Sequence, residues 1–115
     1  MLNKEEERLI FDFIYLPLVR KILVQDLEKV KNSKVKFTEP YILFMEKVIN
    51  KVGMDLGKVK KTLFKKGITV YDQGNVEQRC IYLIVCRGYR QKMNLFPHLM
   101  KNDVMEYMKK YFLEI

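Results

Sequence analysis

In the first thirty residues, apolar side chains recur every three or four positions, the spacing of one face of a helix. Residues 4–16 and residues 18–31 each carry an apolar stripe opposite charged side chains, which predicts amphipathic helices. Pro17 lies between the two stripes and would cost a straight helix one hydrogen bond. We therefore expect it to kink the first helix or to open the second, giving a buried helical hairpin. The apolar positions are Leu9, Ile10, Phe13, Ile14, Val19, Ile22, Leu23, Leu27 and Val30.

A further helical pattern begins after a polar connection. Thr38 is suited to the N-cap position and Pro40 to the first turn, and apolar residues then follow along one side of the helix. Gly53 predicts the end of this helix, and Asp55 can cap another helix only two residues later. Two helices joined by such a short turn form a helix-turn-helix-like corner.

The helix expected after this corner is rich in lysine. At about 100° per residue, its apolar residues fall on one side and three lysines fall within roughly 60° of one another on the opposite side. The helix is therefore predicted to have an apolar stripe and a basic stripe. The apolar stripe contains Leu56, Val59 and Leu63, and the basic stripe contains Lys58, Lys61 and Lys65.

After Gly67 the apolar pattern changes to a period of two. Residues 68–73 and 76–85 are rich in β-branched and aromatic side chains, which favours strands. Gly74 and Asn75 between them tolerate positive φ angles, so we place a hairpin turn there.

The second of these strands is apolar on both faces from Cys80 to Cys86, so we expect it to be covered on both sides. Residues 89–93 form a third strand or a loop, and residues 96–112 have the spacing of a last helix. The predicted fold is a single α+β domain, residues 1–115. Its order is N-terminal helices, an antiparallel hairpin or three-stranded meander, and a C-terminal helix.

Positive charge is concentrated in one third of the chain. Residues 58–92 contain nine of the 22 Lys and Arg residues but only two of the 14 Asp and Glu residues, and the whole chain carries a formal net charge of +8. Such a segment favours an anionic partner.

A basic helix that follows a helical corner and precedes a hairpin is the element order of winged-helix DNA-binding domains. The similarity is one of architecture and covers residues 38–92. It implies that Lys58, Lys61 and Lys65 contact DNA while Arg79 lies near the wing. Two features oppose it. The helix exposes lysines in place of the Arg, Asn or Gln side chains that distinguish bases, and acidic residues flank the proposed wing.

Arg87 and Arg90 form a second basic patch, which could bind phosphate or could simply protect a strand end from edge pairing. We therefore carry two functional hypotheses. The first is a small regulatory or nucleic-acid-binding protein that uses Lys58, Lys61, Lys65, Arg79, Arg87 and Arg90. The second is a protein–protein interaction module, either self-associating or binding an acidic partner, whose lysines form a solvated face.

No motif indicates catalysis, a metal site or a cofactor, so we expect a protein that is not an enzyme. The lone histidine, His98, has no ligand-type neighbours in sequence. Cys80 and Cys86 would lie about 20 Å apart on one strand, too far for a disulfide, which suits a cytoplasmic protein. The run from Leu9 to Val24 is too short and too charged to cross a membrane.

Overall fold

The computed structural model describes residues 2–114; the predicted domain extends one residue further at each end. The α+β class is confirmed, with helices first, then an antiparallel meander, then a helix. The third strand is present. The elements are α1 (Lys4–Lys31), α2 (Glu39–Lys65), β1 (Ile68–Val76), β2 (Arg79–Cys86), β3 (Tyr89–Leu95) and α3 (Pro97–Glu114).

The N-terminal half of α1 begins with a capping box. The Asn3 side chain accepts a hydrogen bond from the Glu6 backbone at 2.8 Å, and the Glu6 carboxylate accepts one from the Asn3 backbone at 3.1 Å.

Helix α1 continues through Pro17, so the predicted helical hairpin is wrong. Buried residues lie on both sides of the proline, from Ile14 to Leu16 and again at Val19. Burial of both turns offsets the roughly 3 kcal/mol cost of an internal proline.

The helix-turn-helix-like corner is also wrong, because α2 runs unbroken through Gly53. Residues on both sides of this position are buried against α1, including Val52 and Val59. A glycine inside a helix costs about 1 kcal/mol relative to alanine, which is less than the burial of two such side chains supplies. Thr38 is at the N-cap position as predicted, but its side chain makes no capping hydrogen bond.

The three strands lie in the order β1-β2-β3, with both pairs antiparallel. The first turn is not at Gly74 and Asn75. Gly74 instead lies in a β-bulge, where its backbone N–H donates to the Asp72 side chain at 2.8 Å. The chain reverses at Glu77 and Gln78, which both have positive φ angles, as a two-residue hairpin with the favoured twist requires.

Only one face of the sheet packs on the helices. Register places the core residues of all three strands on this inner face: Ile68, Val70, Cys80, Tyr82, Ile84, Cys86, Met93 and Leu95. Side chains alternate along a strand, so Ile81, Leu83 and Val85 point to the other, outer face. These three residues lie outside the main core, and the expectation that β2 is covered on both sides is wrong.

The molecule is flat. Its principal extents are 54 × 33 × 18 Å and its radius of gyration is 16.2 Å, against about 13 Å for a compact chain of this length. A layer of helices and a single sheet leave large areas of both layers open to solvent.

Candidate binding surfaces

The continuity of α2 lengthens the basic stripe. At about 100° per residue, Lys47 and Lys51 fall on the same side of the helix as Lys58, Lys61 and Lys65, within an arc of about 80°. All five side chains are exposed, and they span about 27 Å of helix axis. We call these five residues the lysine stripe.

Carboxylates lie outside this arc. The acidic residues of α2 are Glu39, Glu46 and Asp55, and none projects within the 80° sector. Lys51 pairs with Asp55 at 3.1 Å, whereas the other four lysines of the stripe form no ion pair within residues 2–114. Lys58 borders a cleft of about 280 Å³ that is also lined by the carboxylates of Asp12, Asp55 and Glu114. The positive potential is therefore least compensated at Lys47, Lys61 and Lys65.

The three arginines of the predicted site do not join the lysine stripe. Arg79 lies beside the first turn and pairs with Glu77 at 3.4 Å. Arg90 lies on the outer face of β3, paired in register with Val85. Of the three, only Arg87 approaches α2, and its guanidinium is occupied by partners from other elements.

Arg87 joins three parts of the fold. Its Nη1 donates to the Glu6 carboxylate of α1 at 3.2 Å and to the backbone oxygen of Lys66 at 2.8 Å. Its backbone N–H donates to the oxygen of Gly67 at 3.1 Å. Hydrogen bonds from the Asn3 backbone and from Arg87 lower the pKa of Glu6, which is 4% exposed. Arg87 thus joins these parts through hydrogen bonds of Nη1 and its backbone, while about half of its side chain is exposed.

Three tyrosine–aspartate hydrogen bonds, which we call the tyrosine ladder, fix α3 against α1 and α2. Tyr15 donates to Asp103, Tyr107 donates to Asp12 and Tyr111 donates to Asp55, each at 2.7 Å. The rings of Tyr15 and Tyr107 also pack at 5.3 Å. Because Asp55 belongs to α2, the ladder holds the middle of α2 in place.

The ladder shifts the protonation of its members. Burial and hydrogen bonds to aspartates raise the pKa values of Tyr15, Tyr107 and Tyr111. Burial acts to raise the pKa of Asp55, but hydrogen bonds from Tyr111 and Lys51 outweigh it and lower that pKa. The tyrosines are therefore neutral donors and Asp55 is an ionised acceptor near neutral pH.

A cleft of about 580 Å³ opens beside the ladder between α1 and α3. Its walls combine aromatic rings with charges of both signs: Lys4, Glu7, Arg8, Phe11, Tyr15, Asp103, Glu106 and Tyr107. Tyr15 is buried and Phe11 and Tyr107 are half-buried, so these rings take part in the packing of α1 against α3.

Apolar side chains are exposed where α1 ends, α2 begins and α3 ends. Phe37 is 68% exposed, Tyr41 is 57% exposed and Leu113 is 86% exposed. A cleft of about 480 Å³ between the three helices is lined by Tyr41, Phe44 and Phe112, and the rings of the last two meet edge to face at 5.5 Å. We call this surface the apolar end. The aromatic side chains of this surface are Phe37, Tyr41, Phe44 and Phe112. Together they expose roughly 400 Å² at ~200 Å² per side chain, comparable to the largest apolar patch of a typical monomer.

Residues 2–114 contain no group of three or more His, Cys, Asp or Glu side chains placed to hold a metal ion. His98 is exposed near the start of α3. Cys80 and Cys86 lie on the inner face of the sheet and are not disulfide-bonded. None of the helices in the described part of the chain has a window apolar enough to span a membrane.

Sequence reasoning missed two of the five residues of the lysine stripe and all of the tyrosine ladder. Lys47 and Lys51 were separated from the other lysines by the helix end placed at Gly53. Continuing the angular count through this glycine would have found them. The ladder joins residues 56 to 95 positions apart, and no local pattern indicates such pairs.

Comparisons with known proteins give a family assignment. The family model described as YhjD protein matches residues 1–115. A relative from Bacillus subtilis (strain 168), named Uncharacterized protein YhjD, is 28% identical over 115 residues, covering 96% of this chain and 94% of the relative. No solved structure matches the chain.

Proposed function

The chain belongs to the YhjD family, and within that family we propose that it is a non-enzymatic protein that binds a polyanion, nucleic acid, along α2. The observation that carries the proposal is the lysine stripe: five exposed lysines within one arc of a helix whose carboxylates lie outside it. Phosphate contacts of this kind supply affinity without base specificity.

The length of the stripe suits a duplex or an extended single strand. About 27 Å corresponds to roughly eight base pairs at 3.4 Å per step. Lysine ammonium groups act as point charges and lack the fork geometry that reads a guanine edge. With the helical corner absent, α2 has no short recognition helix, so we expect contact along the phosphate backbone. A reducing compartment such as the cytoplasm suits a chain whose cysteines are not disulfide-bonded.

Salt dependence tests this proposal. We would titrate labelled duplex DNA, duplex RNA and single strands at several salt concentrations and compare the slope of log K against log salt. Each lysine that neutralises a phosphate contributes about 0.9 to the slope on a duplex. The triple variant Lys58→Ala, Lys61→Ala, Lys65→Ala should therefore lose close to 3 from the slope.

The matched control removes the same charge elsewhere. Lys21, Lys34 and Lys101 are exposed and lie outside α2, so their triple alanine variant should keep the slope. If both variants lose the same amount of slope, only the net charge of the protein matters. If the native protein does not bind at low salt, the proposed function is wrong.

The second candidate is protein–protein interaction through the apolar end. Supporting it are an apolar cleft and exposed apolar side chains at the same end of the helices, and exposed apolar patches often mark protein–protein interaction sites. Light scattering at increasing protein concentration should reveal a dimer, and Tyr41→Glu should dissociate it because the charge would be buried. A native protein that stays monomeric counts against self-association.

A further inference from the structure

We infer that the outer face of the sheet docks an amphipathic helix from an acidic protein, with the acidic flank of that helix lying over β3. This surface is separate from the lysine stripe and does not depend on the nucleic-acid proposal. Register fixes its composition, because residues paired across strands share a face.

An apolar row forms the centre of the outer face. Ile81 and Val85 are half-buried on β2, and Leu83 between them is only 8% exposed although no core residue packs against this side. Leu83 lies in register between Tyr71 on β1 and Lys92 on β3, whose exposed side chains share the outer face with it. A partner helix would contact these two side chains together with the row.

Apart from Arg79, which pairs with Glu77 at the first turn, the charges of the outer face lie on one flank. Arg90 and Lys92 are exposed on β3, while the paired positions on the β1 side are Thr69 and Tyr71. No strand residue on this face is acidic. Charge complementarity therefore calls for a partner with carboxylates along one edge and neutral side chains along the other.

The dimensions match one helix. Three strands about 4.8 Å apart make a surface about 10 Å wide between the outer strands, and an α-helix is about 10 Å in diameter. From Ile81 to Val85 the row is about 13 Å long, equal to some nine helical residues. Covering an open sheet face with a helix is the usual way in which two-layer folds bury such a row.

Other occupants fit less well. A second copy of the chain would bring Arg90 and Lys92 against another face without carboxylates, on molecules that each carry a net charge of +8. A sheet face that binds single-stranded nucleic acid commonly stacks the bases on aromatic rings, whereas the central row is aliphatic and Tyr71 lies at its flank.

The experiment uses the full chain, isotope-labelled for NMR, and a designed peptide of about 18 residues. The peptide has leucines at helical spacing and glutamates along one flank. It should shift the amide signals of residues 81, 83, 85, 90 and 92 in a saturable way. Charge reversal in the pair Arg90→Glu, Lys92→Glu should weaken binding about tenfold or more. The neutral pair Arg90→Gln, Lys92→Gln should weaken it less, which keeps the test usable if reversal disturbs the sheet.

The control pair Lys61→Glu, Lys65→Glu makes the same charge change on α2 and should leave peptide affinity within about twofold of the native value. A peptide of the same composition in scrambled order should not bind. The inference is overturned if the scrambled peptide binds equally, if the α2 variant loses as much affinity, or if the shifts occur elsewhere. It is also overturned if oligo(dT) occupies the same residues more tightly, or if they shift with protein concentration alone.

Discussion

At the scale of single residues, the tyrosine ladder makes the largest use of polar side chains in this molecule. Each hydroxyl donates to a carboxylate on another helix at 2.7 Å, and the rings themselves are buried or half-buried. Hydrogen bonds to ionised groups are stronger than neutral ones, and their loss leaves a charge without its partner.

Removing one rung should cost measurable stability. We expect Tyr111→Phe to lower the free energy of unfolding by about 1–2 kcal/mol, because Asp55 keeps only its pair with Lys51. The pKa of Asp55 is lowered in the folded state, so this contribution is present above the ordinary value of 3.8 and is lost as pH falls below it. Urea unfolding at pH 7 and at pH 3 should therefore show a smaller difference from the native protein at pH 3. Tyr41→Phe, at an exposed ring, should be neutral at both.

Backbone strain in the first hairpin turn offers a second residue-scale test. Glu77 and Gln78 have φ angles of 51° and 63°, a region that costs side-chain-bearing residues roughly 1 kcal/mol each. Replacing the pair by Asn-Gly should raise stability by about 1 kcal/mol, since the exposed pair with Arg79 contributes little. Thermal unfolding would measure the gain, and an unchanged or lower midpoint would argue against this turn geometry.

At the scale of elements, the unbroken course of α2 decides which surface is available for binding. A corner at residues 53–57 would have given a short basic helix, whereas the continuous helix presents the whole lysine stripe on one rod. The lysine stripe depends on this continuity because its residues lie on both sides of Gly53. The tyrosine ladder depends on it because Asp55, the acceptor of Tyr111, lies in the middle of α2.

Gly53 provides the test of that continuity. A Cβ atom added there would lie 3.7 Å from Arg20 Nε, an ordinary van der Waals distance, and the residue has helical geometry without positive φ. Gly53→Ala should therefore stabilise the protein by about 0.5–1 kcal/mol and leave nucleic-acid affinity unchanged. Destabilisation would mean that the helix ends at this position, as the sequence pattern predicts.

The order of elements, the α+β class and the side of α2 on which its lysines lie could be predicted from sequence, because apolar periodicity is a local property. Whether Pro17 and Gly53 interrupt their helices could not be predicted in this way. Whether a helix survives a poor residue depends on the burial of the turns on either side, and that burial comes from packing between α1 and α2. Similarly, no local pattern indicates that Arg87 pairs with Glu6, because the two residues are 81 positions apart.

At the scale of the whole molecule, the smallest dimension is only 18 Å, so the helices have few layers to pack against. The tyrosine ladder, which joins three helices, is therefore important to global stability. Their pKa values are raised in the folded state, so the folded protein retains protons above pH 10 that the unfolded chain releases. Stability is fully present below pH 10 and is lost as pH rises beyond it, by up to about 1.4 kcal/mol per pH unit for each tyrosine.

Alkaline titration should therefore be biphasic. Burial also raises the pKa of Tyr82, so four of the seven tyrosines resist ionisation while the fold persists. Absorbance at 295 nm, followed together with circular dichroism, should show part of the phenolate signal appearing only as the helices unfold. Complete ionisation before any loss of helix would contradict the buried placement of these rings.

The position of Arg87 has a consequence for how the protein comes apart. One guanidinium ties the opening turn of the first helix to the far end of the second, at the bend between two strands. We expect segments joined in this way to lose their structure together, because freeing either helix end also removes a partner of the bend. Unfolding should thus be a single cooperative transition. Proteases should then cleave the sheet only when the helices unfold as well.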